Sequence, residues 1–230
     1  MKFLFSSDLH GSYDAYEEYA KILLKHDFGI LAGDQIDDFI NEKDKMKLEL
    51  KNEDLKVSSN YGLQLKAEKI FEILIKAKKR VYYVNGNHDI IEWNKNDYII
   101  NIDSMKVKLG KYSIVGVKDS FEGLKSKFNN IKYYEPIIDK DTIIVMHCPP
   151  YGVLDLVDLP DIREGIIIKQ HSGNKKLYEL INKTNPKYVL FGHIHENFGM
   201  EKNMINGSFP LAKGFFSLDL DNNKIEFIKI

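Results

Sequence analysis

Residues 2–11 read Lys2-Phe3-Leu4-Phe5-Ser6-Ser7-Asp8-Leu9-His10-Gly11. A short apolar run breaks into two serines, and a carboxylate and an imidazole follow, two positions apart. Such a run reads as a buried strand feeding a loop. The pattern recurs along the chain. Phe28–Leu31 forms a second strand that stops at Gly33-Asp34, and Arg80–Val84 a third that stops at Gly86-Asn87-His88-Asp89. Thr142–Met146 leads into His147, and Tyr188–Phe191 into Gly192-His193-Ile194-His195. Five of the seven histidines stand in these motifs; His26 and His171 stand outside them.

The segments between the strands set the topology. Ser12 is placed to cap a helix whose apolar positions Tyr13, Tyr16, Ala20, Leu23 and Leu24 keep helical spacing. Leu63, Ala67, Ile70, Phe71, Leu74 and Ile75 form one stripe of a later helix. A strand–helix–strand–helix–strand opening implies parallel pairing through right-handed crossovers. The second half is richer in strands: Lys106–Leu109, Tyr112–Lys118, Phe215–Leu220 and Lys224–Ile230, with Asp221-Asn222-Asn223 as the turn of a closing hairpin. A short helix is expected over Asn174–Asn182, ending before Pro186.

Two segments lack a clear pattern. Residues 41–56 mix both signs of charge with few large apolar groups, which suits a solvated helix or a mobile segment. Residues 149–173 carry Pro149-Pro150, Gly152, Pro160 and Gly165 without sustained periodicity, the composition of a lid, a binding loop or a disordered stretch. Arg163 and His171 lie in it and stand open between substrate contact and loop structure.

Composition narrows the function. At 230 residues, 43% hydrophobic and 29% charged, the chain suits one globular domain spanning residues 1–230. A net charge of −1 argues against nucleic acid as partner. Arg80 and Arg163 are the only arginines, so bidentate guanidinium recognition of phosphate has two candidates. The single cysteine, Cys148, forbids an internal disulfide and suits a reducing compartment. It reads as buried filling or as a thiolate near a metal. No apolar run reaches membrane-spanning length, and Met1–Phe5 leads straight into a strand, so a cytoplasmic location is expected. His26 is expected at the surface or a helix end, without a role; Trp93, Tyr151 and Phe198 are expected to pack.

Oxygen and imidazole donors converging from strand ends suit hard or borderline divalent cations. Two cations about 3.5–4 Å apart can share a hydroxide, position a phosphoryl group and neutralise the attacking and leaving oxygens. Asp8 and His10 can aim at one cation, and His193 and His195 can approach two different ones from one loop. Asn87 adds an uncharged oxygen, which leaves His88 free to act as an acid. Taken singly, each motif has an ordinary reading: Asp8 or Asp34 as turn residues, His147 as a satisfied core group, Asp89 as a turn residue.

The ordered set Asp-x-His, Gly-Asp-x-x-Asp, Gly-Asn-His-Asp, His and Gly-His-x-His, spanning Asp8 to His195, resembles the calcineurin-like metallophosphoesterase superfamily. A finer pattern is similar to a small branch of phosphoesterases related to cyclic-nucleotide phosphodiesterases. It comprises His147-Cys148-Pro149-Pro150, His171-Ser172-Gly173, the Gly192–Glu196 motif and Asn206-Gly207-Ser208. The resemblance implies a four-layer α/β/β/α sandwich with two mixed β-sheets. It further implies one metal bound by Asp8, His10, Asp34 and His195, and a second by Asp34, Asn87, His147 and His193, with Asp34 bridging. His88 matches the acid that protonates the leaving group, and Asp89 the carboxylate that orients it. Asp37 takes the last position of Gly-Asp-x-x-Asp, as a hydrogen-bond acceptor behind the metal ligands or a plain surface acid. Asp38 stands where protein-phosphatase relatives carry an arginine, which argues against that activity.

The implied function is a dinuclear-metal phosphodiesterase acting on a small nucleotide-like phosphoester through a metal-bridging hydroxide. Asn87, His88, Arg163 and His171 would contact the substrate. The two cations are drawn from manganese, iron, zinc, nickel and cobalt. A phosphomonoesterase or nuclease is the rival inside enzymology. A catalytically silent scaffold of the same fold is the rival outside it, and the intact donor set and His88 argue against that.

Overall fold

The computed structural model describes residues 1–36, 59–89, 93, 96–122, 125–161 and 166–230. Segment 41–56 and residues Asp37, Asp38 and Arg163 lie outside the described residues. The chain begins with β1 (Lys2–Ser6), α1 (Tyr13–Leu23), β2 (Phe28–Ala32), α2 (Ser59–Lys76), β3 (Arg80–Val84) and β4 (Ile99–Asn101). There follow β5 (Lys106–Leu109), β6 (Tyr112–Gly116), β7 (Phe121–Glu122), β8 (Lys125–Ser126), α3 (Ile131–Tyr134) and β9 (Thr142–Val145). Next come β10 (Leu156–Asp161), β11 (Ile166–His171), α4 (Lys175–Thr184) and β12 (Tyr188–Phe191). The chain closes with β13 (Gly199–Glu201), β14 (Met204–Asn206), α5 (Phe209–Ala212), β15 (Gly214–Asp219) and β16 (Lys224–Lys229).

Two six-stranded sheets result. One runs β16-β15-β1-β2-β3-β4 and the other β13-β14-β12-β9-β6-β5. As the opening pattern predicts, β1, β2 and β3 pair in parallel, while β15 joins β1 antiparallel and makes the sheet mixed. In the second sheet β6, β9, β12 and β14 are mutually parallel and the edges antiparallel.

Alternation along the strands divides the interior into three apolar layers. Phe3, Phe5, Ile30 and Val84 of the first sheet meet Ile114, Ile143, Val145 and Leu190 of the second. The intervening residues Leu4, Leu31 and Val81 face the other way, onto Tyr16 and Tyr19 of α1 and Leu63, Ile70 and Leu74 of α2. Behind the second sheet, Ile144, Val189 and Phe191 cover Leu177, Leu180 and Ile181 of α4. This is the α/β/β/α sandwich. Cys148 is buried in the third layer, and burial pushes its thiol well above the ordinary range. Trp93 packs between Phe71 and Tyr83. Among the described residues no helix is long and apolar enough to cross a membrane.

One expectation needs correction and another gains detail. His26 does follow the end of α1, but it is buried. Its Nδ1 lies 2.9 Å from the Ile22 carbonyl oxygen and its Nε2 2.9 Å from Ser217 Oγ, so it joins the end of α1 to β15. Within residues 149–173, where the sequence shows no period, the described residues include a ribbon: β10 and β11 pair antiparallel, Leu156 opposite His171 and Asp161 opposite Ile166. Pro160 is tolerated because a two-stranded ribbon has free edges on both sides, where a missing N–H costs little. The ribbon joins neither large sheet, so no buried face imposed a strict apolar alternation.

Candidate metal centre

Asp8 and His10 follow β1, Asp34 follows β2, Asn87 and His88 follow β3, His147 follows β9, and His193 and His195 follow β12. All are carboxyl ends of parallel strands, where open α/β sheets present their ligand sites. The backbone there is bent hard. Asp8, His10, Asp34 and His193 take φ values of 57°, 44°, 51° and 73°, a region non-glycine residues seldom occupy. Strain of this kind concentrates at functional sites, where the surroundings over-determine it.

The donors form two groups. In one, His10 Nε2 and His195 Nε2 are 3.2 Å apart, with Asp8 Oδ1 3.5 Å from the latter. In the other, His147 Nε2 lies 3.2 Å from Asp34 Oδ2, 3.0 Å from Asn87 Oδ1 and 3.2 Å from His193 Nδ1. The same Asp34 Oδ2 is also 3.9 Å from His10 Nε2 and so faces both groups. The chemistry of the second set tests whether a cation fits. His147 Nδ1 is 2.8 Å from the Ala32 carbonyl oxygen and donates to it, which leaves Nε2 with a lone pair when the ring is neutral. That lone pair then points at two oxygens and another imidazole nitrogen. Electron-rich atoms converging in this way call for a positive charge between them, a demand that a divalent cation could meet.

The electrostatics agree. Burial pushes the Asp8 carboxyl up, but the hydrogen bond with His195 and the charge of His147 hold it below its usual range. Burial likewise opposes ionisation of Asp34, which the charge and hydrogen bond of His147 and the His88 N–H outweigh. Burial disfavours charge on His147, yet Asp34 and Asp8 raise its pKa to about 10. A proton on His147 thus supplies the positive charge that the donors otherwise lack.

Comparison with known proteins gives this arrangement its family. The model of the calcineurin-like phosphoesterases matches residues 1–197. The chain belongs to the calcineurin-like phosphoesterase family. No curated protein matches the sequence. One solved crystal structure is similar at a TM-score of 0.69 and 16% identity, covering 99% of this chain and 98% of that one. The crystal structure of TT1561 of Thermus thermophilus is similar at a TM-score of 0.63 and 15% identity, over the same shares of the two chains, 99% and 98%. At such identities the likeness is one of fold.

The phosphoesterase motifs include glycines for a steric reason. A Cβ on Gly86 would lie 2.2 Å from Asp34 Oδ1, and one on Gly192 would lie 2.2 Å from Asp8 Oδ2. Both loops press their backbones against a donor carboxylate, and a side chain there would displace it.

Behind the donors is a shell of hydrogen bonds that motif reading assigns no role. Ser208 Oγ donates to Asp8 Oδ2 at 2.6 Å, and the His193 N–H donates to the same oxygen at 3.0 Å. Asn206 accepts from the Ser208 N–H through its side-chain oxygen and donates through its nitrogen to the Ile194 carbonyl. The Asn206-Gly207-Ser208 motif is visible in sequence; only the fold reveals that it braces Asp8 and the His193 loop.

Asp89 is half-buried between loops. Its Oδ1 accepts from the N–H groups of Gln35 (2.8 Å) and Ile36 (3.2 Å), and its Oδ2 from that of Gly86 (2.8 Å). Burial, with the charge of Asp34, pushes its pKa up to about 7. These bonds tie the Asp34 loop to the loop carrying Asn87 and His88. The His88 N–H in turn donates to Asp34 Oδ1 at 2.9 Å, and its ring meets that of His10 edge-on at 5.4 Å. His171 lies apart from both donor groups, on the β10–β11 ribbon, with Nδ1 2.7 Å from Asp155 Oδ1.

Proposed function

We propose that this chain is a dinuclear-metal phosphodiesterase acting on small nucleotide-like esters. The observation that carries the reading is Asp34 Oδ2, directed at both donor groups at 3.2 and 3.9 Å. One carboxylate shared between two sets of imidazoles is what a pair of neighbouring cations requires. When bound, two divalent cations supply water activation and charge neutralisation at the phosphoryl group.

The rest falls to the chain's own side chains. Asp8, His10, Asp34 and His195 form one donor set, and Asp34, Asn87, His147 and His193 the other. The shared backbone strain and the bonds from Ser208 and His193 keep Asp8 from relaxing away. His88, half-buried beside His10, is the acid that delivers a proton to the departing oxygen. Its main chain is pinned to Asp34, so the ring is held at a fixed place relative to the donors. Asp89 fixes that loop through the backbone, and His88 and Asn87 border the reacting phosphate.

A diester is favoured over a monoester because a dianion is best held by added guanidinium groups. Arg80 is at the first residue of β3, the end opposite the centre, and so offers none. An alkoxide-like leaving group, by contrast, gains from an acid such as His88. The test compares bis-p-nitrophenyl phosphate with p-nitrophenyl phosphate, then 2′,3′- and 3′,5′-cyclic nucleotides with the matching mononucleotides, under manganese, zinc, nickel and cobalt. Higher kcat/KM for the diester in both pairs supports the reading. A consistent preference for the monoester would make the chain a metal-dependent phosphatase instead.

A further inference from the structure

A well-formed cavity lies away from the residues of the metal centre. It lies beneath the β10–β11 ribbon, has a volume of about 740 Å³, and is walled in part by Tyr151, Val157, Leu159, Gln170, His171 and Lys175. This is the size range of small-molecule sites.

Its construction is specific. Val157 pairs with Gln170 across the ribbon and Leu159 stands two positions along from Val157, so these three side chains share one face of the two strands. His171 is held rigidly. Its Nδ1 lies 2.7 Å from Asp155 Oδ1, and Asp155 is itself buried, its other oxygen accepting from the Gly152 and Gly173 N–H groups at 3.0 and 2.9 Å. That bond leaves Nε2 as the ring's remaining polar atom. The His171 ring lies 4.9 Å from that of Tyr151, and Lys175 Nζ stands 4.9 Å over the Tyr151 ring. Aliphatic side chains on the ribbon and a fixed imidazole beside a tyrosine thus bound one space. It also holds a carboxamide, a free ring nitrogen and an ammonium group.

We infer that this cavity binds a planar heteroaromatic ring of nucleobase size carrying an anionic substituent. Aliphatic and aromatic walls favour a flat ring, by stacking and by exclusion of water. The Gln170 carboxamide can both donate to and accept from the edge of a base, and Lys175 complements a nearby phosphate. The ribbon is also tied to the catalytic side of the molecule: the Asn197 side chain donates to the Leu156 carbonyl, and Asn197 lies two residues beyond His195. As the site for the base of a nucleotide ester the inference rests on the proposed phosphodiesterase reading; as a binding site it does not.

Calorimetric titration in excess EDTA separates the two. Adenosine, guanosine, cytidine and uridine 5′-monophosphates are titrated against ribose 5-phosphate on wild type and on the Leu159→Asp, Gln170→Ala and His171→Ala variants. At least one nucleotide is expected to bind 10-fold or more tightly than ribose 5-phosphate, and Leu159→Asp and His171→Ala should erase that margin. Gln170→Ala, on an exposed strand position, should change the ranking among bases and serves if a cavity variant fails to fold. Equal binding of nucleotides and ribose 5-phosphate, or a margin that survives in all folded variants, overturns the inference. Binding without hydrolysis of any ester would leave the site standing and remove the phosphodiesterase reading. Hydrolysis without base-dependent binding would do the reverse.

Discussion

The metal centre and the β10–β11 ribbon are built on opposite principles. The centre lies where seven donor side chains leave five parallel strands of two sheets, and Asp8, Asp34, His147 and His193 there are buried. The Asp8, Asp34 and His147 side chains are held by backbone or hydroxyl hydrogen bonds, and Asp8, His10, Asp34 and His193 sit on strained backbone. The ribbon is a separate two-stranded sheet, with Ile167 70% exposed and Ile168 46% exposed at its far end. A two-stranded ribbon has little stability of its own and depends on its anchors. Here the anchor is Asp155, which gathers Gly152, Gly173 and His171 at the root. The proposed chemistry thus sits at the rigid end, and the proposed base site on the ribbon.

The contrast can be broken most sharply at His88. His88→Asn should retain bound metal and lose on the order of 10²–10⁴-fold in turnover, the usual contribution of general acid catalysis. The loss should shrink for esters with p-nitrophenol as leaving group, which needs little protonation. An equal loss for good and poor leaving groups would make His88 a substrate-positioning group.

Ser208→Ala tests whether the shell behind the donors matters as much as the donors. Removing the 2.6 Å bond to Asp8 should weaken metal affinity about 10–100-fold, measured by competition with a chelator. Unchanged affinity would show that the His193 N–H suffices to hold Asp8.

A third prediction concerns the interior away from the site. Burial lowers the pKa of His26, so folding favours its neutral form. Its stabilising effect is therefore fully present above the unfolded value of about 6.5 and is lost as pH falls below it toward the lower folded value. His26→Leu should cost about 1–3 kcal/mol at pH 7.5, since the Ile22 carbonyl and Ser217 hydroxyl lose their partner. The cost should be smaller at pH 5.5. Urea unfolding at the two pH values reads both quantities, and a cost that grew with acidity would contradict the assignment. The smallest effect is expected on the ribbon: Ile167→Ser should change stability by no more than about 0.5 kcal/mol, given its exposure of 70%. A larger loss would mean that the ribbon's outer face is covered in solution.

The same contrast decides what the sequence can reveal. The strands leading to Asp8, Asp34, Asn87 and His147 are buried on both faces, so they read as continuous apolar runs. Each ends in a motif whose residue types are fixed by donor chemistry and by clearances such as that at Gly86. The helices α1 and α2 are legible from their stripes, and the cap of Ser12 from its position. The strands of the ribbon have no such constraint: Leu156, Asp158 and Pro160 follow one another on one face, and no period survives. The short strands β4, β13 and β14 are equally silent, because three residues cannot display a period. The burial of His26 is hidden for a different reason. Its partners are a carbonyl four residues away and a serine 191 residues away, and neither leaves a local signature.

Metal stoichiometry decides whether one carboxylate, Asp34, serves two cations. Wild-type protein, cleared of metal and then equilibrated with manganese, zinc, nickel or cobalt, should retain two equivalents by elemental analysis after gel filtration. Asp34→Ala should lower retention at both sites, whereas Asn87→Ala should mainly weaken one. A wild type that never exceeds one equivalent under any of these metals, or an Asp34→Ala variant that still holds two, would rule out Asp34 as a carboxylate shared by two cations.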